Sequence, residues 1–360
     1  MAYGSKKAPD DGAYRKLKAD LAAGRAERLY VLYGEEDYLK SYYLGKLRAL
    51  CAGPFGELGE TVLDAEHVTL DALTDAVDSV PFGSERKLVL VRDYPLMQPK
   101  GALKEALPEL LAGLPDYICL VFFFEALEFK PDKRLTLYKT LEKHGQLVEF
   151  RRAPASDLIP WLKRRFFALG KTIETADCDY MLFLCGSAMT NLVTEVDKIA
   201  AGVPGPRIAR ADIDRLGSRV LEANVFQLTD KLLEGDGAAA LALLRDLFDL
   251  REEPPVILGA VAAQFRRLYG ARLAMDAGKS EQYVADLFGF RSSYPAQLAM
   301  RAARRRRLPE LRRMQLLCLQ ADLELKSNNS DPLRTLELLL LRAAEGQACE
   351  SSDMIISISK

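Results

Sequence analysis

The sequence predicts an α/β domain with a parallel sheet over residues 1–152, followed by an all-helical remainder, and three observations carry that reading. Short apolar runs alternate with amphipathic stretches from Leu29 to Phe150, the pattern of strands joined by crossover helices. One run, Tyr117 to Phe124 (Tyr-Ile-Cys-Leu-Val-Phe-Phe-Phe), is continuously apolar, as a central strand covered on both faces must be. After Arg151-Arg152-Ala153-Pro154 no further strand-like run is found, and helical periodicity continues to Glu345.

In chain order, Asp11 to Gly24 reads as a helix closed by its glycine, and Leu29–Tyr33 as a short buried strand. Gly34 breaks that strand, and Glu35, Glu36 and Asp37 sit where a helix would begin, complementing the positive end of its dipole. Tyr38 to Leu50 continues as that helix, Cys51 to Gly59 is a glycine-rich connection, and Glu60–Asp64 is a second strand. Thr69 to Val80 is the next helix, with Leu70, Leu73, Val77 and Val80 three and four apart on one stripe. It stops at Val80-Pro81-Phe82-Gly83, because proline cannot continue it. Strands follow at Lys87–Val91 and Gln146–Phe150, with helices at Leu103–Leu111 and Leu135–Lys143.

Beyond the sheet, Asp157–Leu169, Ala176–Cys185, Asn191–Ala201 and a short helix near Asp212–Leu216 form a small unit, 153–217. A larger helical unit, 218–345, holds Val225–Leu233, Ala238–Leu250, Val256–Met275, Tyr283–Phe288, Pro295–Arg307, Leu311–Lys326 and Pro332–Glu345. Asp236, after Gly235, is a plausible N-cap between the first two. Residues 346–360 have little periodicity and are expected to be a mobile tail.

Composition narrows the function. The 360 residues are 49% apolar and 28% charged, with a net charge of −1, an ordinary soluble globular composition able to bury a sizeable core. No apolar run approaches the roughly 18–20 residues that span a bilayer, and Met1–Asp11 lacks the apolar segment of a secretory signal. Six cysteines without a Cys-x-x-Cys pair, and two distant histidines, His67 and His144, give no metal-ligand spacing. A reduced cytoplasmic protein without a metal is the expectation.

The strand–glycine–helix start at Leu29–Lys40 is the scaffold by which nucleotide-binding α/β proteins hold phosphate. Its chemistry is wrong for that task. The pattern G-x-x-x-x-G-K-[ST] occurs nowhere, and three carboxylates stand in the turn. Asp93, at the end of an apolar strand, resembles a magnesium-binding aspartate but has no phosphate cradle to serve, and reads as a turn former, as does Glu125. No nucleophile elbow is present, and neither histidine has a partner pattern. No catalytic residue and no cofactor are expected.

Two features remain. Arg301 to Arg313 holds seven arginines in thirteen residues, with Glu310 the sole acid. Arginine suits phosphate, yet the region after Arg219 is nearly balanced in charge, so a solvated helix face or pairing to acidic neighbours competes with a nucleic-acid contact. The turn Val80-Pro81-Phe82 places a phenylalanine at a Pro-Gly tip. That ring either tucks back into the core or projects into a partner's pocket, and the residues alone favour the core.

Taken together in order, four stretches resemble the delta subunits of bacterial DNA polymerase III. They are Leu29–Lys40; Val80-Pro81-Phe82-Gly83 followed by Arg86-Lys87-Leu88-Val89-Leu90-Val91; Val225-Phe226-Gln227-Leu228-Thr229-Asp230 with Gly235-Asp236 and Gln264-Phe265-Arg266; and Ala321-Asp322-Leu323-Glu324-Leu325-Lys326. Each is degenerate singly, and the ordered set spans nearly the whole chain. The resemblance implies an AAA+-like α/β domain without a functional phosphate-binding loop, a small helical lid domain and a helical collar domain. It implies a non-hydrolytic clamp-loader subunit that binds the ring-shaped sliding clamp (the beta subunit) and opens it. The partners are delta-prime and motor subunits that supply ATP hydrolysis, and primer-template DNA through the assembled complex. On the family's pattern the clamp contact falls on Val80, Pro81 and Phe82, backed by Leu73 and Val77, and Phe82 moves from core to plug. Pro81 replaces the larger aliphatic residue of many relatives, which leaves Phe82 as the main contact. Arg304 and Arg305 are the DNA-facing candidates. Zinc-ligating cysteines and arginine-finger motifs of delta-prime or motor subunits are not found. The competing reading is a helical scaffold protein with a degenerate nucleotide fold and no clamp partner.

Overall fold

The computed structural model describes residues 12–52, 60–81, 83–290, 292–327 and 331–344. Phe82, most of the glycine-rich connection at 53–59 and the tail from 345 onward lie outside the described residues. The chain divides into two compact units, one of residues 1–152 with 188–190 and one of 153–187 with 191–360.

The first unit is built on five parallel strands: β1 (Leu29–Tyr33), β2 (Glu60–Asp64), β3 (Lys87–Arg92), β4 (Ile118–Phe123) and β5 (Gln146–Glu149), in the order β2-β3-β4-β1-β5. Alternation along the strands divides the core into two layers. Tyr30, Leu32, Leu88, Leu90, Val121 and Phe123 pack with Leu17 of α1 (Gly12–Ala22) and Tyr43, Leu44 and Leu47 of α2 (Asp37–Cys51). On the other face Leu29, Val31, Val89, Val91, Leu120 and Phe122 pack with α3 (Leu70–Asp78), α4 (Leu103–Ala112) and α5 (Thr136–His144). Every residue of β4 is buried, which is why its sequence shows no alternation.

In the second unit α6 (Ala155–Ala168), α7 (Thr175–Cys185), α8 (Met189–Gly202) and α9 (Arg210–Leu216) precede α10 (Leu221–Glu234) and α11 (Gly237–Asp249). Then come α12 (Pro254–Asp276), α13 (Glu281–Phe288), α14 (Tyr294–Ala303), α15 (Leu308–Leu325) and α16 (Pro332–Ala344). Asp236 caps α11, its Oδ1 accepting the Ala239 N–H at 3.0 Å. The long α12 is the axis of this body. Ile257, Val261, Phe265, Leu268 and Ala271 are buried along it against α10, α14, α15 and α16.

Two departures from the sequence reading have local causes. A parallel bridge joins β6 (Thr172–Ile173) to β7 (Arg207–Ile208). Two-residue strands are too short to show a period, so the expectation of no strand after Phe150 is corrected. The helix expected over Pro295–Arg307 ends instead at Ala303. Arg306 is buried there, donating from Nη2 to the Leu233 carbonyl at 2.6 Å and lying 3.6 Å from Glu310, and Pro309 begins the next helix.

Candidate functional site

The turn after β1 is committed to the sheet. Gly34 has φ +115°, and a Cβ there would stand 2.4 Å from the Phe150 carbonyl oxygen, so only glycine fits. The same carbonyl accepts the Glu36 N–H at 2.9 Å, while the Phe150 N–H donates to Tyr33 O at 2.7 Å. A backbone amide that a phosphate cradle would present is therefore engaged by the end of β5. Glu36 is buried. The buried Lys40, one turn into α2, donates from Nζ to the Phe124 carbonyl at 2.6 Å and pairs with Asp37 at 2.8 Å. Glu35 lies 3.4 Å from Arg152.

Asp93 is likewise a structural anchor. Its φ is +50°, and its Oδ1 accepts the N–H groups of Glu125, Ala126 and Leu127 at 2.9, 3.0 and 2.9 Å. A carboxylate oxygen shared by three amides stabilises the loop after β4 and is not presented to a nucleotide's metal. Among the described residues no group of three His, Cys, Asp or Glu side chains could hold a metal ion, and no helix is long and apolar enough to cross a membrane.

The second element of the site is the tip after α3. Thr69 caps this helix by accepting the Ala72 N–H at 3.1 Å, and Ser79 ends it, since a residue preceding proline avoids helical backbone and Val80 is that residue. Its C-terminal carbonyls are then taken by side chains from the sheet. Lys87, at the start of β3 and buried, donates from Nζ to Ala76 O at 2.8 Å and to Ser79 Oγ, placing a cation at the negative end of the helix. Burial lowers the Lys87 pKa. Tyr117 Oη donates to Asp78 O at 3.2 Å, and Arg86 Nη1 reaches Ala26 O at 2.6 Å. The base of the tip is pinned on three sides.

On that base Val80 is 72% exposed and Pro81 is half-buried. Leu73 and Val77 are different. Both are buried in the layer between α3 and the sheet, because the α3 stripe points inward until the helix ends. Their placement among partner-contacting residues is corrected to a supporting role: no surface of theirs is available to a second protein. The pinning residues Lys87, Arg86 and Tyr117 escaped the sequence reading, although a lysine opening an otherwise apolar strand was a usable signal.

The arginines of the second unit lie along clefts. Arg301 and Arg305 line one of about 280 Å³ with Asp230, Leu233 and Glu234. Arg301 and Arg304 line an adjoining one of about 390 Å³ with Arg210, Glu281 and Tyr294. Burial raises the Asp230 pKa, helped by Glu234 and opposed by Arg301 and Arg305. Arg304 and Arg305 are exposed, whereas Arg306 is absorbed into the packing.

A family model described as DNA polymerase III, delta subunit, matches residues 30–151, and one described as DNA polymerase III delta subunit, C-terminal domain, matches residues 222–343. A DNA polymerase III subunit delta from Bacillus subtilis (strain 168) is 27% identical over 330 residues, covering 89% of this chain and 94% of that protein. A probable DNA polymerase III subunit delta from Aquifex aeolicus (strain VF5) is 25% identical over 277 residues, covering 74% and 77%. Among solved structures, the Bacillus subtilis DNA clamp loader delta protein superposes with a TM-score of 0.56 at 25% identity, over 92% of this chain and 99% of that one.

Proposed function

Since the chain belongs to the DNA polymerase III delta-subunit family, whose two models match its α/β segment and its C-terminal helices, we propose that it is a clamp-loader subunit of the replication machinery whose α3 tip binds the sliding clamp and opens it. One observation carries the assignment of the tip: Val80 is 72% exposed directly beyond a helix whose Leu73, Ala76 and Val77 are buried. An apolar side chain held out on a base fixed by Lys87, Arg86 and Tyr117 loses little conformational entropy on docking. Phe82 is the main anchor in this reading, inserting into an apolar pocket on one clamp protomer, with Val80 and Pro81 beside it.

Opening needs no catalysis by this chain. A tip that binds the open ring more tightly than the closed ring shifts the equilibrium toward opening by the difference in affinity. The engagement of Gly34, Glu36 and Lys40 within the sheet supports a non-hydrolytic role, with ATP hydrolysis left to motor subunits. In the same reading residues 1–152 contact the clamp, 153–217 are the lid and 218–345 join the collar with the delta-prime and motor subunits. Arg304 and Arg305 face primer-template DNA in the assembled cytoplasmic complex.

Surface plasmon resonance of immobilised clamp against the Phe82→Ala chain tests the assignment. Loss of binding with an unchanged circular dichroism spectrum supports it. Unchanged affinity removes the tip from the mechanism.

A further inference from the structure

We infer that a cleft lined by α9 and α14 binds adjacent phosphate groups, held by Arg210, Arg301 and Arg304. The inference does not depend on the clamp contact proposed above. The cleft is about 390 Å³ and is lined by these three arginines with Tyr294, Gln297 and Glu281, all within one compact unit. The three arginines are exposed. None of them forms an ion pair among the described residues.

Arg210 is held in place without being neutralised. Its guanidinium carbon lies 3.8 Å from the ring centroid of Tyr180 on α7 and 5.6 Å from that of Tyr294 on α14. Its Nη2 donates to Tyr294 Oη. The two rings meet edge to face at 5.9 Å, and Tyr180 Oη donates to Asp214, so the aromatic support is itself fixed. A guanidinium fork carries five N–H donors. The tyrosines engage part of that fork, and the exposed remainder keeps a full positive charge in a set orientation.

Charge then selects the ligand. Arg301 and Arg304 are three residues apart at the end of α14 and share a face of the chain. They border a lining that already carries Arg210, and the one carboxylate there is Glu281, which pairs with none of them among the described residues. Arg301 also borders the neighbouring cleft with Asp230, without an ion pair to it. Three like charges around one small cleft repel one another, and no side-chain hydrogen bond of Arg301 or Arg304 among the described residues accounts for their convergence. An anion relieves that repulsion. Planar forks from two helices suit the oxygens of neighbouring phosphates, and the volume is that of a small-ligand site. Arg304 is shared with the DNA path proposed above, whereas Arg210 and Arg301 are not. A free oligophosphate and a nucleic-acid backbone offer the same chemistry.

Isothermal titration calorimetry of the full chain with sodium tripolyphosphate at low salt tests the site, and saturable binding is expected. Arg301→Gln and Arg304→Gln should each weaken it about tenfold, as the loss of one charge-assisted contact does, with an unchanged circular dichroism spectrum. Arg210→Lys keeps the charge and gives up the fork and the stack, and should weaken binding to a similar extent. Glu281→Gln removes the opposing carboxylate and should tighten binding about two- to fivefold. Arg305 lines the neighbouring cleft and not this one, so Arg305→Gln should leave the affinity unchanged. Competition by a thymidine oligonucleotide identifies the source of the phosphates: displacement assigns the site to a nucleic-acid backbone, and its absence to a free oligophosphate. The Phe82→Ala chain should bind tripolyphosphate as the parent does, so failure of the tip and failure of the cleft are read separately. Absence of saturable binding overturns the inference. A loss in Arg305→Gln equal to that in Arg304→Gln overturns it in favour of a diffuse basic surface.

Discussion

The peptide carbonyl of Phe150 occupies the space that a side chain on Gly34 would need, its oxygen 2.4 Å from where that Cβ would be. Together with φ +115° this makes Gly34→Ala costly twice over, through backbone strain of about 1–3 kcal/mol and through displacement of the end of β5. A total loss of about 2–4 kcal/mol is expected, read as a lower urea midpoint with an unchanged slope. A midpoint within experimental error of the parent would show that the β1 turn is more plastic than this contact implies.

Leu73 and Val80 lie on one stripe seven residues apart and should respond oppositely. Leu73→Ala empties a buried site and is expected to cost about 2–5 kcal/mol of stability. Val80→Ser changes an exposed side chain and should alter stability by less than about 0.5 kcal/mol. Clamp affinity should reverse that ranking once both proteins are measured well below their unfolding temperatures. A Val80→Ser chain that binds the clamp as the parent does would confine the contact to Pro81 and Phe82.

Lys87 joins the strand to the tip. Lys87→Met keeps the length of the side chain but removes the ammonium that the Ala76 carbonyl accepts at 2.8 Å, leaving it only the Ser79 hydroxyl at 3.2 Å. A loss of about 1–3 kcal/mol is expected. Amide exchange at Ser79, whose N–H donates to Asp75 O at 3.2 Å, should quicken as the last turn of α3 frays. Exchange at Leu120 in the sheet centre should follow only the global loss.

The centre of the sheet was legible because β1, β3 and β4 are buried on both sides, and a run such as Ile118–Phe123 has few other uses. The wrong-looking chemistry of Leu29–Lys40 was legible too, but its reason was not. That Glu36 is buried and Lys40 spans to Phe124 depends on residues over eighty positions away, which no local pattern encodes. The same limit hid Lys87: sequence shows that it opens a strand, and only the register of β3 against α3 shows what its ammonium reaches. Leu73 and Val77 were named on the family's pattern as the backing of Phe82, and helical periodicity, taken strictly, already turned them inward. The break at Arg304–Arg307 was hidden because arginine is a good helix former, although Pro309 marks a boundary, and the bond from Arg306 to Leu233 O joins residues far apart in sequence.

Asp230 gives a pH dependence whose sign can be worked out. Its folded pKa is raised, chiefly by burial, so between the ordinary aspartate value and the folded value the native state holds more protons than the unfolded one. Stability contributed by this group is therefore full at low pH and lost as pH rises through that window. Asp230→Asn should leave the thermal midpoint near the parent's below about pH 4 and raise it at neutral pH. A midpoint difference that is constant from acid to neutral pH would mean that Arg301 and Arg305 already compensate the carboxylate.

The arginine run separates into structural and exposed members. Arg306 is 9% exposed and bridges Leu233 O and Glu310, so Arg306→Ala should destabilise the helical unit by about 1–3 kcal/mol by leaving the Leu233 carbonyl without its charged donor, while Glu310 keeps Arg307 at 2.9 Å. Arg304 and Arg305 are exposed, and Arg304→Ala with Arg305→Ala should leave the unfolding midpoint unchanged. If both contact phosphates in the assembled loader, the slope of log affinity for primed DNA against log salt should fall by about 1.8, at about 0.9 per lost duplex contact. Position within the thirteen-residue run does not predict these roles, since Arg305 and Arg306 are adjacent. What divides them is the turn after α14, which buries one guanidinium beneath the chain and leaves its neighbours in water. An unchanged salt slope would assign Arg305 to Asp230 alone and remove Arg304 and Arg305 from the DNA path.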